Sequence, residues 1–302
     1  MLWIPITVAA AFFQNLRSAL QRQLKSELSD LGAASVRFLY ALPFALTWLA
    51  LVTFLSEASL PAVNSDFAGW IIGGAIAQII FTFLLMWLFS FSNFTVGTAR
   101  SKTEVIQVIL LEALLLHENV SGRGLVAILI AFVGVMIMTL GRNRLSLRAL
   151  FSSLAQKGTV IGLICGFALG LSSVFFRGAA LSLEDSGIVM RSAFTLAVAT
   201  AIQTLILFVW LRVFQPGQIR RTVGQWRSCA LVGFAGWAAS IFWFMAFTLT
   251  HAAYVRALGQ IELIFTFLAS VFFFREKVSR AEIAGVILLS GAIILLIVEK
   301  PV

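Results

Sequence analysis

At 302 residues, 60% of them hydrophobic and 12% charged, the chain has too little charge to cover the surface of a soluble fold, which typically carries about 25% charged residues. A net charge of +9 would point to nucleic acid in a soluble protein, but here the basic residues gather between apolar runs and no nucleic-acid partner is implied. Cys165 and Cys229 stand in or beside separate apolar runs and support neither a disulfide framework nor a metal site.

A bilayer core needs about 20 mostly apolar residues per helix. Such runs lie near 2–22, 31–55, 67–90, 94–116, 123–141, 158–181, 187–211, 228–249, 252–274 and 281–298. The expected fold is therefore an all-α integral membrane protein of about ten transmembrane helices, because each span must satisfy its own backbone. The lipid bilayer is its surroundings, and the expected site is a multi-pass cell (cytoplasmic or inner) membrane.

Ionised side chains near mid-bilayer cost roughly 2.5–3.5 kcal/mol on insertion scales, so those inside spans are functional candidates that face the bundle interior. The first run reads as a span rather than a signal peptide, since Gln14, Asn15 and Arg17 interrupt any apolar h-region. Gln14, Arg17, Ser18 and Gln21 share one helical face, a stripe that lipid would not tolerate; the alternative is that Arg17 and Arg22 snorkel to the headgroups. Arg37 follows in the second span. In the fourth, Arg100 and Glu104 are four apart and can pair, Lys102 points elsewhere, and Glu112 is a weaker candidate nearer the end. Arg177 lies in the sixth span and Arg191 near the start of the seventh. In the ninth, Arg256 and Gln260 are four apart, Glu262 is near mid-span, and Tyr254 and His251 sit at the mouth, where His251 also reads as a plain interfacial residue. Trp87 and Trp243 read either as cavity lining or as packing. Gly73 and Gly74, Gly162 with Gly166 and Gly170, and Gly233 with Gly236 allow close helix approach.

The two halves repeat. A shift of 158 residues pairs Ala99 with Ala257, Glu104 with Glu262, Glu118 with Glu276, Val120 with Val278 and Ser121 with Ser279. Earlier in each half a shift of 154 or 155 pairs Arg22 with Arg177, Arg37 with Arg191 and Pro61 with Pro216. Scarce residue types do not coincide this way by chance. Residues 1–141 and 158–302 thus form two five-helix repeats joined by a linker at 142–157, and an odd number of spans inverts the second against the first.

The segments His117-Glu118-Asn119-Val120-Ser121 and Arg275-Glu276-Lys277-Val278-Ser279 each follow a long apolar helix and precede a glycine-bearing last helix. In these, and in its two-repeat layout over nearly the whole chain, the sequence resembles EamA-type members of the drug/metabolite transporter superfamily. Some members carry proline after the glutamates at 104 and 262, where this chain has Val105 and Leu263. The resemblance implies alternating-access transport of a small metabolite bound between the halves, with export the expected direction.

Odd-numbered loops hold nearly all loop Lys and Arg, which places them in the cytoplasm and both termini outside. The resemblance implies the reverse, and the charge count is preferred as a property of this chain. Within the spans, Arg17, Arg37, Arg100, Lys102, Arg177, Arg191 and Arg256 outnumber Glu104, Glu112 and Glu262. An anionic or zwitterionic substrate such as an amino acid or organic acid would balance that surplus. The expected substrate-binding residues are Gln14, Arg17, Arg37, Arg177, Arg191, Tyr254, Arg256 and Gln260. Glu104, Arg100 and Glu262 are expected to carry protons as the coupling ion or to form a static intramembrane pair. An enzyme is not expected: no His-rich metal cluster, paired-aspartate motif, phosphate-cradling loop or Walker motif is present, and no metal or cofactor is implied. A passive channel or non-transporting subunit is the alternative. No oligomeric state is legible, and a monomer is plausible.

Overall fold

The computed structural model describes residues 1–24, 27–57, 59–88, 101–142, 157–183, 186–272, 275 and 278–298. The described residues form helices and connecting turns, with no strand among them. In chain order the helices are α1 (Trp3–Gln23), α2 (Asp30–Leu39), α3 (Leu42–Ser56), α4 (Ser65–Leu88), α5 (Glu104–Leu115), α6 (Gly122–Arg142) and α7 (Lys157–Leu181). They continue as α8 (Ile188–Phe214), α9 (Pro216–Gly224), α10 (Trp226–Leu249), α11 (Ala252–Gly259), α12 (Ile261–Phe272) and α13 (Arg280–Val298).

Burial is inside out relative to a soluble protein. Phe54, Leu114, Phe272, Ile287 and Val298 are exposed, whereas Arg17, Gln21, Arg37, Glu104, Glu112, Arg177, Arg256 and Gln260 are buried. In water this would forfeit the hydrophobic effect and strand charge in the core. In a bilayer it is the favourable arrangement. Among the described residues, seven helical segments are long and apolar enough to cross a membrane: Asp30–Ser56, Ser65–Leu88, Gly122–Thr139, Val160–Leu181, Ile188–Phe214, Trp226–Leu249 and Arg280–Val298. The chain is a multi-pass membrane protein. Helix α1 falls short on apolarity because of its polar stripe, and α5, α11 and α12 fall short on length.

Three of the expected spans are broken, and two of the breaks have no proline. The ninth parts at Gln260, between α11 and α12, and α5 begins at Glu104 after a turn at Lys102 and Thr103. Gln260 and Lys102 are themselves 158 residues apart. A third interruption, at Tyr40–Ala41 between α2 and α3, does have Pro43 in the first turn of α3, where the missing N–H leaves the helix ladder open. Gly233 of α10 packs against this kink so closely that a Cβ there would lie 2.5 Å from the Tyr40 backbone.

The most extensive packing joins α6 to α13, α4 to α7 and α1 to α10. Helices α6 and α13 cross backbone to backbone: a Cβ on Gly285 would lie 2.6 Å from the Met138 nitrogen, and one on Gly134 would lie 2.8 Å from that of Leu289. Both helices start alike. Ser121 Oγ accepts from Gly124 N–H (3.0 Å), and Ser279 Oγ accepts from Glu282 N–H (3.1 Å) while Glu282 Oε2 accepts from Ser279 N–H (2.8 Å), a capping box. The turns before these caps also match, with His117 at φ 55° and Arg275 at φ 49°, both left-handed.

Candidate functional site

The polar stripe of α1 faces inward at Arg17 and Gln21, with Gln14 half-buried, while Ser18 is exposed and donates back to Gln14 O (2.8 Å). Neither Arg17 nor Arg37 has an ion pair to any described carboxylate. Arg17 Nε is buried without a hydrogen-bond partner, and the Arg37 guanidinium reaches only Thr82 Oγ1, at 3.4 Å. Arg37 lies in the walls of two small interior cavities. One is also lined by Gln14, Gln78, Ser172, Ser173, Ser240, Trp243 and Arg256. This space collects helices from both halves of the chain. It is narrow, with room for roughly one or two waters, so its walls must part to admit a metabolite.

Beside the cavity runs a chain of polar contacts between the two helix breaks. Arg256 Nη2 donates to Glu104 Oε1 (2.5 Å), Gln260 Nε2 donates to the same oxygen (3.2 Å), and the Arg256 guanidinium lies 4.9 Å from the centre of the Trp243 ring. Trp243 Nε1 donates to Gln14 Oε1 (3.0 Å), Gln14 Nε2 donates to Glu262 Oε2 (2.8 Å), and Lys102 Nζ pairs with Glu262 Oε1. Each of the two glutamates is therefore matched by a cation from the opposite half. Three buried atoms in this chain have no partner: Glu104 Oε2, Gln260 Oε1 and Arg256 Nε.

The sequence expectations change here in two respects. Glu104 pairs with Arg256; its expected partner Arg100 lies outside the described residues, as does Glu276. Lys102, expected to point elsewhere, pairs with Glu262. The expectation assumed one unbroken helix, on which residues 102 and 104 diverge, whereas the turn at Lys102–Thr103 re-aims the lysine.

Arg177 is placed differently from Arg37. Its Nε and Nη2 donate to the two oxygens of Glu118 (2.7 and 2.8 Å), its Nε lies 3.3 Å from Glu112, and its Nη1 donates to the carbonyls of Phe247 and Thr250 (both 2.6 Å). These carbonyls lie at the C-terminal end of α10, where a cation satisfies orphan acceptors. Glu112, fully buried, accepts from Ala252 N–H (2.7 Å) and Ala253 N–H (3.1 Å) at the start of α11, where an anion is favoured. Burial works against the Glu118 carboxylate, but the bidentate Arg177 guanidinium, helped by nearby His251, holds its pKa below the usual value. Glu112, Glu118 and His251 approach one another as metal ligands might, but the Arg177 guanidinium is already the cation between the carboxylates. The cluster is a clasp between the halves, with Glu112 and Glu118 from one and Arg177 from the other.

Tyr254 belongs to that end as well. It is buried, its hydroxyl accepts from Ser121 N–H (3.0 Å), and its ring fills the space a side chain on Gly124 would need. Arg191 is half-buried with its Nε unpartnered and lines neither cavity. Of the two tryptophans, Trp243 is interior and Trp87 exposed. Sequence reasoning missed Gln78, Ser172, Ser173 and Ser240, since hydroxyls and amides within apolar runs have no periodic signature. Glu112 did have a signal, a carboxylate in an apolar run that has to be paired.

The described helices thus form a multi-pass bundle with a charged interior and a narrow cavity. Residues 156–298 match the EamA-like transporter family, of the drug/metabolite transporter superfamily, as the repeated turn segments led one to expect. No curated protein matches the chain. A solved structure described as "Crystal structure of protein" is similar in fold, with a TM-score of 0.70 at 13% identity over 97% of this chain and 95% of that one.

Proposed function

We propose that the chain is a secondary transporter, working as an exporter in the cell membrane, that moves a small anionic or zwitterionic metabolite by alternating access between two inverted five-helix repeats. The observation that carries this reading is Arg37, buried in the wall of a small cavity shared by both halves with no ion pair to any described carboxylate. A buried cation without a counter-ion is costly, and a ligand carboxylate or phosphate removes that cost. The unpartnered acceptors Glu104 Oε2 and Gln260 Oε1 suit a ligand ammonium, which favours a zwitterion such as an amino acid over a simple organic acid.

The packing supports the inverted repeat. Exchanging the halves turns the pair α1 with α10 into α7 with α4 and returns α6 with α13 to itself, and these are the three most extensive pairings. The matched breaks at Lys102–Thr103 and Gln260, and the left-handed His117 and Arg275, support it independently.

Glu262, with Glu104, is the coupling element in this reading: a proton on Glu262 releases Lys102, which loosens the link between the halves. The Arg177 clasp keeps one end of the bundle shut while the other opens.

The test is counterflow in proteoliposomes of the purified protein with a panel of carboxylates, amino acids, neutral solutes and amines. Saturable exchange of carboxylate-bearing solutes is expected. Transport of neutral or cationic solutes alone would sink the anion site, and conductance without saturation would favour the passive channel.

A further inference from the structure

Residues 212–227 contain Arg212, Arg220, Arg221 and Arg227 and no acidic residue. They join α8 and α10, both long and apolar enough to span the membrane, so the segment sits at one membrane surface. All four arginines are exposed. Around them Val213, Phe214, Val223 and Trp226 are exposed too, and the Arg227 guanidinium lies 5.5 Å from the Trp226 ring centre.

This is a built surface rather than a loose loop. Helix α9 is tied down along its inner side: Gln218 Oε1 accepts from Ser29 N–H (3.1 Å), Gln215 Oε1 accepts from Ser29 Oγ–H (2.8 Å), and Tyr40 Oη donates to Thr222 O (2.8 Å). A Cβ on Gly32 would lie 2.5 Å from Gln218 Oε1, so α9 rests directly on α2. With its inner side occupied, α9 turns Arg220 and Arg221 outward. Next to Arg221 an open groove of about 410 Å³ is lined by Glu27, Gly224 and Gln225.

We propose that α9 and the flanking ends of α8 and α10 form a binding surface for anionic phospholipid, with headgroup phosphate on Arg220 and Arg221 and acyl chains against Val213, Phe214, Val223 and Trp226. Charge complementarity selects this occupant: outward-facing guanidiniums next to exposed apolar side chains match a molecule that joins a phosphate to hydrocarbon. Basic residues at an anionic leaflet contribute about 1 kcal/mol each, about a fivefold change in occupancy per arginine. The proposal does not depend on the transported substrate. It puts this end of the bundle in the leaflet richer in anionic lipid, in line with the charge bias of the odd-numbered loops.

The test uses the full chain in nanodiscs of phosphatidylcholine doped with spin-labelled phosphatidylglycerol or spin-labelled phosphatidylcholine. The motionally restricted fraction should be larger for phosphatidylglycerol. That preference should fall with added salt and drop at least tenfold in Arg220→Gln/Arg221→Gln. Arg123→Gln, at the start of α6, should leave it unchanged. The salt series on the unaltered chain keeps the test decisive if the double variant fails to fold. Equal restriction of the two lipids, indifference to salt, or an unchanged preference in a folded double variant overturns the proposal. Displacement of the label by free glycerol phosphate would also overturn it, since that marks a soluble-anion site.

Discussion

Arg177 and Arg37 are buried to nearly the same degree, 7% and 6% exposed, yet their surroundings differ in kind. Arg177 has a carboxylate on two of its nitrogens, a second carboxylate at 3.3 Å and two carbonyls on the third nitrogen. Arg37 has one hydroxyl at 3.4 Å and no ion pair to any described carboxylate. Burial alone therefore does not separate the two arginines; the balance of charge around each does.

The largest effect expected from breaking this contrast is at the clasp. Arg177→Ala leaves Glu112, Glu118 and the Phe247 and Thr250 carbonyls without their cation. Removing one member of a buried pair typically costs about 3–5 kcal/mol. Thermal unfolding in detergent should move down sharply. A melting curve like that of the parent would show that the clasp does not hold the halves together.

Arg37→Gln should do the reverse. With no ion pair to lose, stability should hold or rise, while the affinity for a carboxylate substrate falls. A charge-assisted hydrogen bond is worth about 1.5–3 kcal/mol, about 10- to 150-fold in affinity. Counterflow and melting on the same sample read both quantities. Lost stability with unchanged affinity would move Arg37 into the structural class with Arg177.

Glu262→Gln tests the coupling element between these extremes. The amide keeps a hydrogen bond to Gln14 but loses the charge that holds Lys102. Flux should lose its dependence on an imposed pH gradient while exchange of substrate for substrate continues. Normal gradient dependence would remove the proton role from Glu262.

Much of this comparison was legible in the sequence. The apolar runs marked the described helices other than α9, which lies between two runs, and the repeat marked Glu104 with Glu262. The duplicated turn segments pointed to the family that residues 156–298 match. What was not legible depends on contacts between distant helices. Glu104 and Arg256 are 152 positions apart, and nothing local in either helix selects the other. Likewise Arg177 and Arg37 look alike in sequence, each an arginine in an apolar run, and only the arrival of Glu112 and Glu118 separates them. The break at Gln260 has no proline, the usual marker, in its sequence.

The clasp should also respond to acid in a defined direction. Because Arg177 holds the Glu118 pKa below its ordinary value of 4.5, Glu118 stabilises the fold above the unfolded pKa. That contribution is lost as pH falls through the lower folded pKa. Melting of the parent should therefore be insensitive to pH near neutrality and decline below about pH 4.5. In Glu118→Gln the decline over that acidic window should be shallower. Equal slopes would mean that Glu118 does not carry the acid sensitivity of the clasp.

The smallest effect concerns the turn that presents Glu118 to Arg177. His117 has φ 55°, a left-handed conformation that a side chain disfavours and glycine adopts freely. His117→Gly should relieve that strain at the cost of a freer unfolded chain, for a net gain of at most about 1 kcal/mol. Arg275, at φ 49°, occupies the matching turn of the other half and provides the control. If both glycine variants raise the melting temperature slightly, the two turns store the same strain and the clasp adds nothing to it. If only His117→Gly lowers it, the turn is held rigid for the sake of Glu118, and the side chain at 117 is part of what keeps the clasp closed.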